Sequence, residues 1–107
     1  MNDIALTPEP PYFAVIFTSF RTEGDNEYDA ISNRMLELAA LQPDYLGIES
    51  VRDGLGITIS YWSSLEAIRD WRQNVEHQLA QKRGYQIWYQ SFKTRICKVE
   101  RDYGFER

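Results

Sequence analysis

Two apolar stripes run through the segment that follows Ser63, and no straight helix can bury both. At roughly 100° per residue, Leu65, Ile68, Trp71, Val75 and Leu79 share one face. His77 lies roughly 240° round from Trp71 on the same wheel, with Ala80, Gln81, Gly84 and Trp88 as a second stripe. A helix that packs both stripes on one sheet must break or bend, and the spacing places that break near Gln73 and Asn74. The second piece is then re-aimed so that its own stripe turns inward. Gly84 lets a backbone approach closely or ends that piece. Upstream, Ser63 with Glu66 three residues on reads as a capping box that starts the helix.

The rest of the chain supplies the partners such a helix needs. "YFAVIFTSF", residues 12–20, is rich in aromatic and β-branched residues and reads as a strand buried on both faces or nearly so. Tyr28, Ile31, Met35, Leu38 and Ala39 form one stripe of an amphipathic helix, which Pro43 stops. "YLGIESVRDGLGITISYW" reads as two strands joined at Asp53 and Gly54, a short hairpin signal. In its second strand Ile57, Ile59 and Tyr61 alternate with Thr58, Ser60 and Trp62, so the two faces differ. A last strand puts Phe92, Thr94 and Ile96 on one face, with Arg95, Cys97 and Val99 on the other. The order is β-α-β-β-α-β, a ferredoxin-like α+β fold with an antiparallel four-stranded sheet. Residues 1–11, with three prolines and no hydrophobic period, read as a flexible N-terminal arm, and residues 12–107 as one domain.

A four-stranded sheet with helices on one side leaves its other face bare, which predicts a homodimer. Twelve basic against sixteen acidic residues give a net charge of −4, with no long like-charged block. Such a chain has no global attraction for phosphate backbones or anionic lipid, so neither nucleic acid nor a membrane is expected as a partner. No apolar run approaches the roughly 20 residues of a transmembrane helix. A lone cysteine, Cys97, and a start without a basic n-region or apolar h-region fit a cytoplasmic protein.

The chemistry on offer is sparse. One histidine, one cysteine and no ligand-spaced pair argue against a dedicated metal centre. Cys97 lies mid-strand in apolar company, where a thiol is more often an inert filler. "GLG" at residues 54–56 falls in a hairpin and not between strand and helix, so it does not cradle phosphate. What remains is abundant aromatics, fifteen of 107 residues, one imidazole that titrates near neutrality, and Arg69, Arg72 and Arg95 as anion holders. On residue chemistry alone, the helix reads first as cover for the sheet, with Trp71 in the core and His77 at the surface. A pocket wall is the competing reading. A phenol or quinol in such a pocket could lose a proton to a base, and the electron-rich anion would then react with dioxygen without a cofactor.

Several pieces together resemble a known family. They are Tyr61-Trp62 closing the third strand, "SSLEAIRDW" opening the helix, the run Trp71, His77, Ala80, Gly84, Trp88-Tyr89, and the closing "RICKVERDYGF". In this combination the chain resembles the antibiotic biosynthesis monooxygenase domain family over nearly its whole length. The resemblance implies a dimeric α+β barrel, in which two chains pair their sheets and each keeps a pocket between sheet and helices. It implies a cofactor-independent monooxygenase acting on a small aromatic molecule, with Trp71 and His77 as the catalytic pair. Trp71 would be a wall over the ring and His77 a base or hydrogen-bond donor, while Trp62, Arg72, Trp88 and Arg95 would bind substrate. A non-catalytic small-ligand binding protein on the same scaffold is the alternative. Haem-degrading members use a strand-one Asn, a helix Trp and an axial His ten residues beyond that Trp. Here Trp71 matches the Trp, but the axial position falls on Gln81 and the first strand has no Asn, so haem is disfavoured.

Overall fold

The computed structural model of the chain describes residues 3–107. The first two residues of the expected arm lie outside them, as does the side chain of Val75. Four strands and three helices follow in the order β1 (Tyr12–Arg21), α1 (Tyr28–Ala40), β2 (Tyr45–Asp53), β3 (Leu55–Trp62), α2 (Leu65–Arg72), α3 (Val75–Arg83) and β4 (Tyr89–Val99). A single π-helical turn, Gly84–Trp88, joins α3 to β4. The strands form one antiparallel sheet in the order β2-β3-β1-β4. This is the ferredoxin-like β-α-β-β-α-β fold, with its second helix in two pieces.

The hairpin turns where the sequence places it, since Gly54 adopts φ 78°, which a side chain would resist. The register then sorts the side chains. Phe13, Val15 and Phe17 of β1 stand beside Trp62, Ser60 and Thr58 of β3 and beside Lys98, Ile96 and Thr94 of β4. Val15, Phe17, Thr58, Ser60, Thr94 and Ile96 all border the space under the helices. Ala14, Ile16 and Thr18 stand beside Tyr61, Ile59 and Ile57 and beside Cys97, Arg95 and Lys93, on the opposite face. The hydrophobic core gathers Ala39 of α1, Trp62 of β3, and Ala67, Ile68 and Trp71 of α2, with Phe13, Val15, Met35, Leu38 and Tyr45 packed against it. Trp62 is 0% exposed and anchors this core.

The second helix breaks where the two stripes demand it. Helix α2 ends at Arg72, Gln73 caps it, and Asn74 starts α3 by accepting the His77 backbone N–H on its side chain at 3.1 Å. Two expectations need correction. Ser64 and not Ser63 is the N-cap: it has extended dihedrals, and its Oγ accepts from the Ala67 N–H at 3.0 Å. Glu66 therefore falls one position early for a reciprocal box and approaches Arg69 instead, at 3.6 Å. Leu65 and Leu79, at the two ends of the first stripe, are exposed, 55% and 61%. The break rotates α3, so that Ala80 is turned in and Leu79 out.

Among the described residues no helix covers the opposite face of the sheet. Ile16, Ile57 and Ile59 are only half-buried there, and Val51 is exposed. Chain ends reach part of that face: the Ala5 N–H donates to Glu49 at 3.0 Å, and the Tyr12 hydroxyl donates to Asp102. Among the described residues no helix is long and apolar enough to cross a membrane.

Candidate active site

A cavity of about 650 Å³ lies between the inner face of the sheet and helices α1, α2 and α3. This is in the size range of small-molecule sites. Its walls are aromatic at both ends. At one end Trp62 and Trp71 stack with ring centroids 6.1 Å apart, and His77 stacks on Trp71 at 4.3 Å. At the other, Tyr28 meets Trp88 and Tyr89 edge to face, and Tyr89 meets Phe17 and Phe92. Between them the sheet presents Thr58, Ser60 and Thr94.

The break in the second helix builds the His77 environment. A helix that continued past Arg72 would bond the Trp71 carbonyl to the N–H four residues on. Instead that carbonyl accepts the Asn74 N–H at 3.1 Å and the His77 Nδ1–H at 3.0 Å. A carbonyl oxygen can only accept, so in this bond Nδ1 carries the proton and Nε2 of the neutral ring is a bare acceptor. Burial holds the imidazole below its ordinary pKa of 6.5, the Trp71 carbonyl opposes that shift, and the charge of Arg72 adds to it. The first turn of α3, where His77 sits, also disfavours a cation. His77 is thus held in the neutral form, with Nε2 free to accept a proton.

The remaining side chains are fixed by the same packing. The Trp62 indole N–H donates to Ser60 Oγ at 3.0 Å, and that of Trp88 to the Asn26 carbonyl at 3.0 Å. Gly84 permits the closure at this end, because a Cβ there would lie 3.0 Å from the Tyr89 ring. The Tyr89 hydroxyl donates to that of Tyr28 at 3.3 Å, and burial pushes its pKa far up, so it stays protonated. Arg72 lies on the cavity and is exposed, which puts it at the rim.

Five of the six expected site residues therefore line one cavity: Trp62, Trp71, Arg72, His77 and Trp88. Arg95 does not join them, because it pairs with Ile16 and projects from the other face of the sheet. Tyr28, Tyr89 and the hydroxyls of Thr58 and Ser60 were not expected in the site. The alternation of Thr58 and Ser60 with Ile57 and Ile59 was their signal. A polar strand face suggests solvent, whereas here it faces the cavity.

The donor set does not fit a haem. Gln81 borders the cavity at the axial position, β1 offers Val15 and Phe17 in place of an amide, and His77 is turned onto Trp71. Among the described residues no group of three or more His, Cys, Asp or Glu could hold a metal ion.

The ferredoxin-like fold is shared with solved oxygenase and antibiotic biosynthesis monooxygenase structures. The chain superposes on SnoaB, a cofactor-independent oxygenase from Streptomyces nogalater, with a TM-score of 0.69 at 10% identity, over 92% of this chain and 100% of that one. It superposes on a candidate antibiotic biosynthesis monooxygenase from Caulobacter crescentus CB15 at 0.72 and 11% identity, over 85% and 92% of the two chains. PA3566 from Pseudomonas aeruginosa matches at 0.69 and 17% identity, over 90% and 99%. At these identities the likeness is one of fold. No family model matches the chain. The chain belongs to the family of the uncharacterized protein YqjZ of Bacillus subtilis (strain 168), with 50% identity over 108 residues, 99% of this chain and 95% of that protein.

Proposed function

We propose that the protein is a cofactor-independent oxygenase of a small phenol- or quinol-type molecule, with His77 as proton acceptor and Trp71 and Trp62 as the wall against which the ring lies. The observation that carries this reading is the neutral imidazole of a residue lining an aromatic cavity, locked by the Trp71 carbonyl so that Nε2 is the unprotonated nitrogen. A phenol that gives its proton to Nε2 becomes an electron-rich anion, and ring carbon gains carbanion character. That carbon reacts with dioxygen, and the resulting peroxide loses water. In net terms a ring CH₂, in the keto form of the phenol, and O₂ become C=O and H₂O, with no outside reductant. The protein contributes desolvation, orientation and a base.

The chain acts as a homodimer in this reading, with two sheets packed through the face that carries Ile16, Ile57 and Ile59. The half-burial of these isoleucines supports it, because apolar surface of that extent is normally covered. Oxygen uptake with a panel of hydroquinones and polyphenols tests the activity. Uptake above autoxidation is expected, falling on the order of 10²–10⁴-fold in His77→Ala, the usual contribution of a positioned base. Saturable binding with uptake no faster than in the variant would overturn the oxygenase reading and leave a binding protein.

A further inference from the structure

The charge of the cavity lining does not match the charge of the chain. Acids outnumber bases sixteen to twelve in the sequence, yet the charged side chain that borders the cavity is a cation, Arg72; Lys93 also borders it, but its register beside Thr18 puts its side chain on the opposite face of the sheet. Neither aspartate nor glutamate is among the lining residues. Arg34, Arg69 and Arg83 are each engaged by a carboxylate, whereas Arg72 has no such partner among the described residues. Burial is the main cause that lowers the His77 pKa, and the nearby charge of Arg72 acts in the same direction. A pocket with a cation at its rim and no compensating acid in its lining attracts an anion.

We propose that the ligand of this cavity is an aromatic acid, a hydroxylated aryl ring that carries a carboxylate, with the carboxylate held by the Arg72 guanidinium at the rim. The proposal rests on the reading of the cavity as a site for a phenolic ring, and adds the group that selects among such rings. The aromatic walls accept any flat ring of suitable size and discriminate little. A guanidinium with no carboxylate partner among the described residues favours a carboxylate through paired, charge-assisted hydrogen bonds.

Trp62, Trp71 and Trp88 all line the cavity, so indole fluorescence reports binding without turnover. The experiment titrates a dihydroxynaphthoate against the matching dihydroxynaphthamide, a neutral isostere, on wild type and Arg72→Gln. The acid is expected to bind about tenfold tighter than the amide, the factor that one charge-assisted contact at a partly wet rim supplies. Arg72→Gln is expected to remove that preference and to leave the affinity for the amide unchanged. Equal binding of acid and amide to wild type, equal weakening of both in the variant, or no saturable quenching by either would overturn the proposal. Tight binding of the acid without oxygen uptake would sustain it and overturn the oxygenase reading instead.

Discussion

The His77 imidazole lies face to face on the Trp71 indole, with ring centroids 4.3 Å apart and 14° between planes, while its Nδ1–H donates to the carbonyl of that same tryptophan. One residue therefore fixes the ring plane, the rotation and the tautomer of the imidazole. Only a chain that leaves the helix between them can do this, because residues six apart on one α-helix point to different sides. The helix break is thus part of the site.

Activity should follow the neutral imidazole. Because the His77 pKa is lowered, kcat/KM rises with pH through a value below 6.5 and is flat above it, and His77→Ala loses that limb. Stability follows the same sign. The unfolded chain binds the proton more readily, so the contribution of His77 is present above 6.5 and is lost as pH falls through the lowered folded value. Thermal melts from neutral to acid pH should show the midpoint falling more for wild type than for His77→Gln.

Asn74 holds the first turn of α3, where His77 sits, and is not among the residues that line the cavity. Its Oδ1 caps α3 through the His77 N–H, so Asn74→Ala should cost about 1 kcal/mol in denaturant unfolding. It should also lower kcat more than it raises KM, whereas Asn74→Asp, which keeps the cap, should restore both.

The start of α2 offers a sharp comparison between neighbours. Ser64→Ala should destabilise by about 1 kcal/mol, because it strips the acceptor from the Ala67 N–H. Ser63→Ala should be close to neutral, since the recorded bond of Ser63 is its backbone N–H to the Asp44 carbonyl. Equal losses from the two would contradict the cap.

The bare sheet face predicts assembly. Wild type should sediment as a dimer at micromolar concentration, and Ile57→Asp should sediment as a monomer with unchanged far-ultraviolet circular dichroism. Ile57 stands between Thr18 and Val51 on the face without helices, so the charge meets no helix in the single chain. A monomeric wild type would contradict the paired-sheet barrel.

Much of this was legible in residues. The order of elements along the chain followed from composition and period, and the helix break from two stripes that no single wheel could bury. Trp62, Trp71, His77 and Trp88 were named through the family resemblance, whereas residue chemistry alone put His77 at the surface; all four border the cavity. Ser63 and Ser64 have equal chemistry, and only the backbone dihedrals decide which caps. Arg95 differs from its neighbours by one step of a period of two, and its face depends on cross-strand register, which pairs it with Ile16. Thr58 and Ser60 were hidden because a polar strand face ordinarily meets water, and here it meets a cavity.

The most direct measurement is heteronuclear NMR of the imidazole nitrogens, unambiguous because the chain has a single histidine. The structure predicts a neutral ring at pH 7 with the proton on Nδ1, titrating below 6.5. A ring protonated on Nε2, or one that titrates above 6.5, would mean that His77 is not the base this site requires.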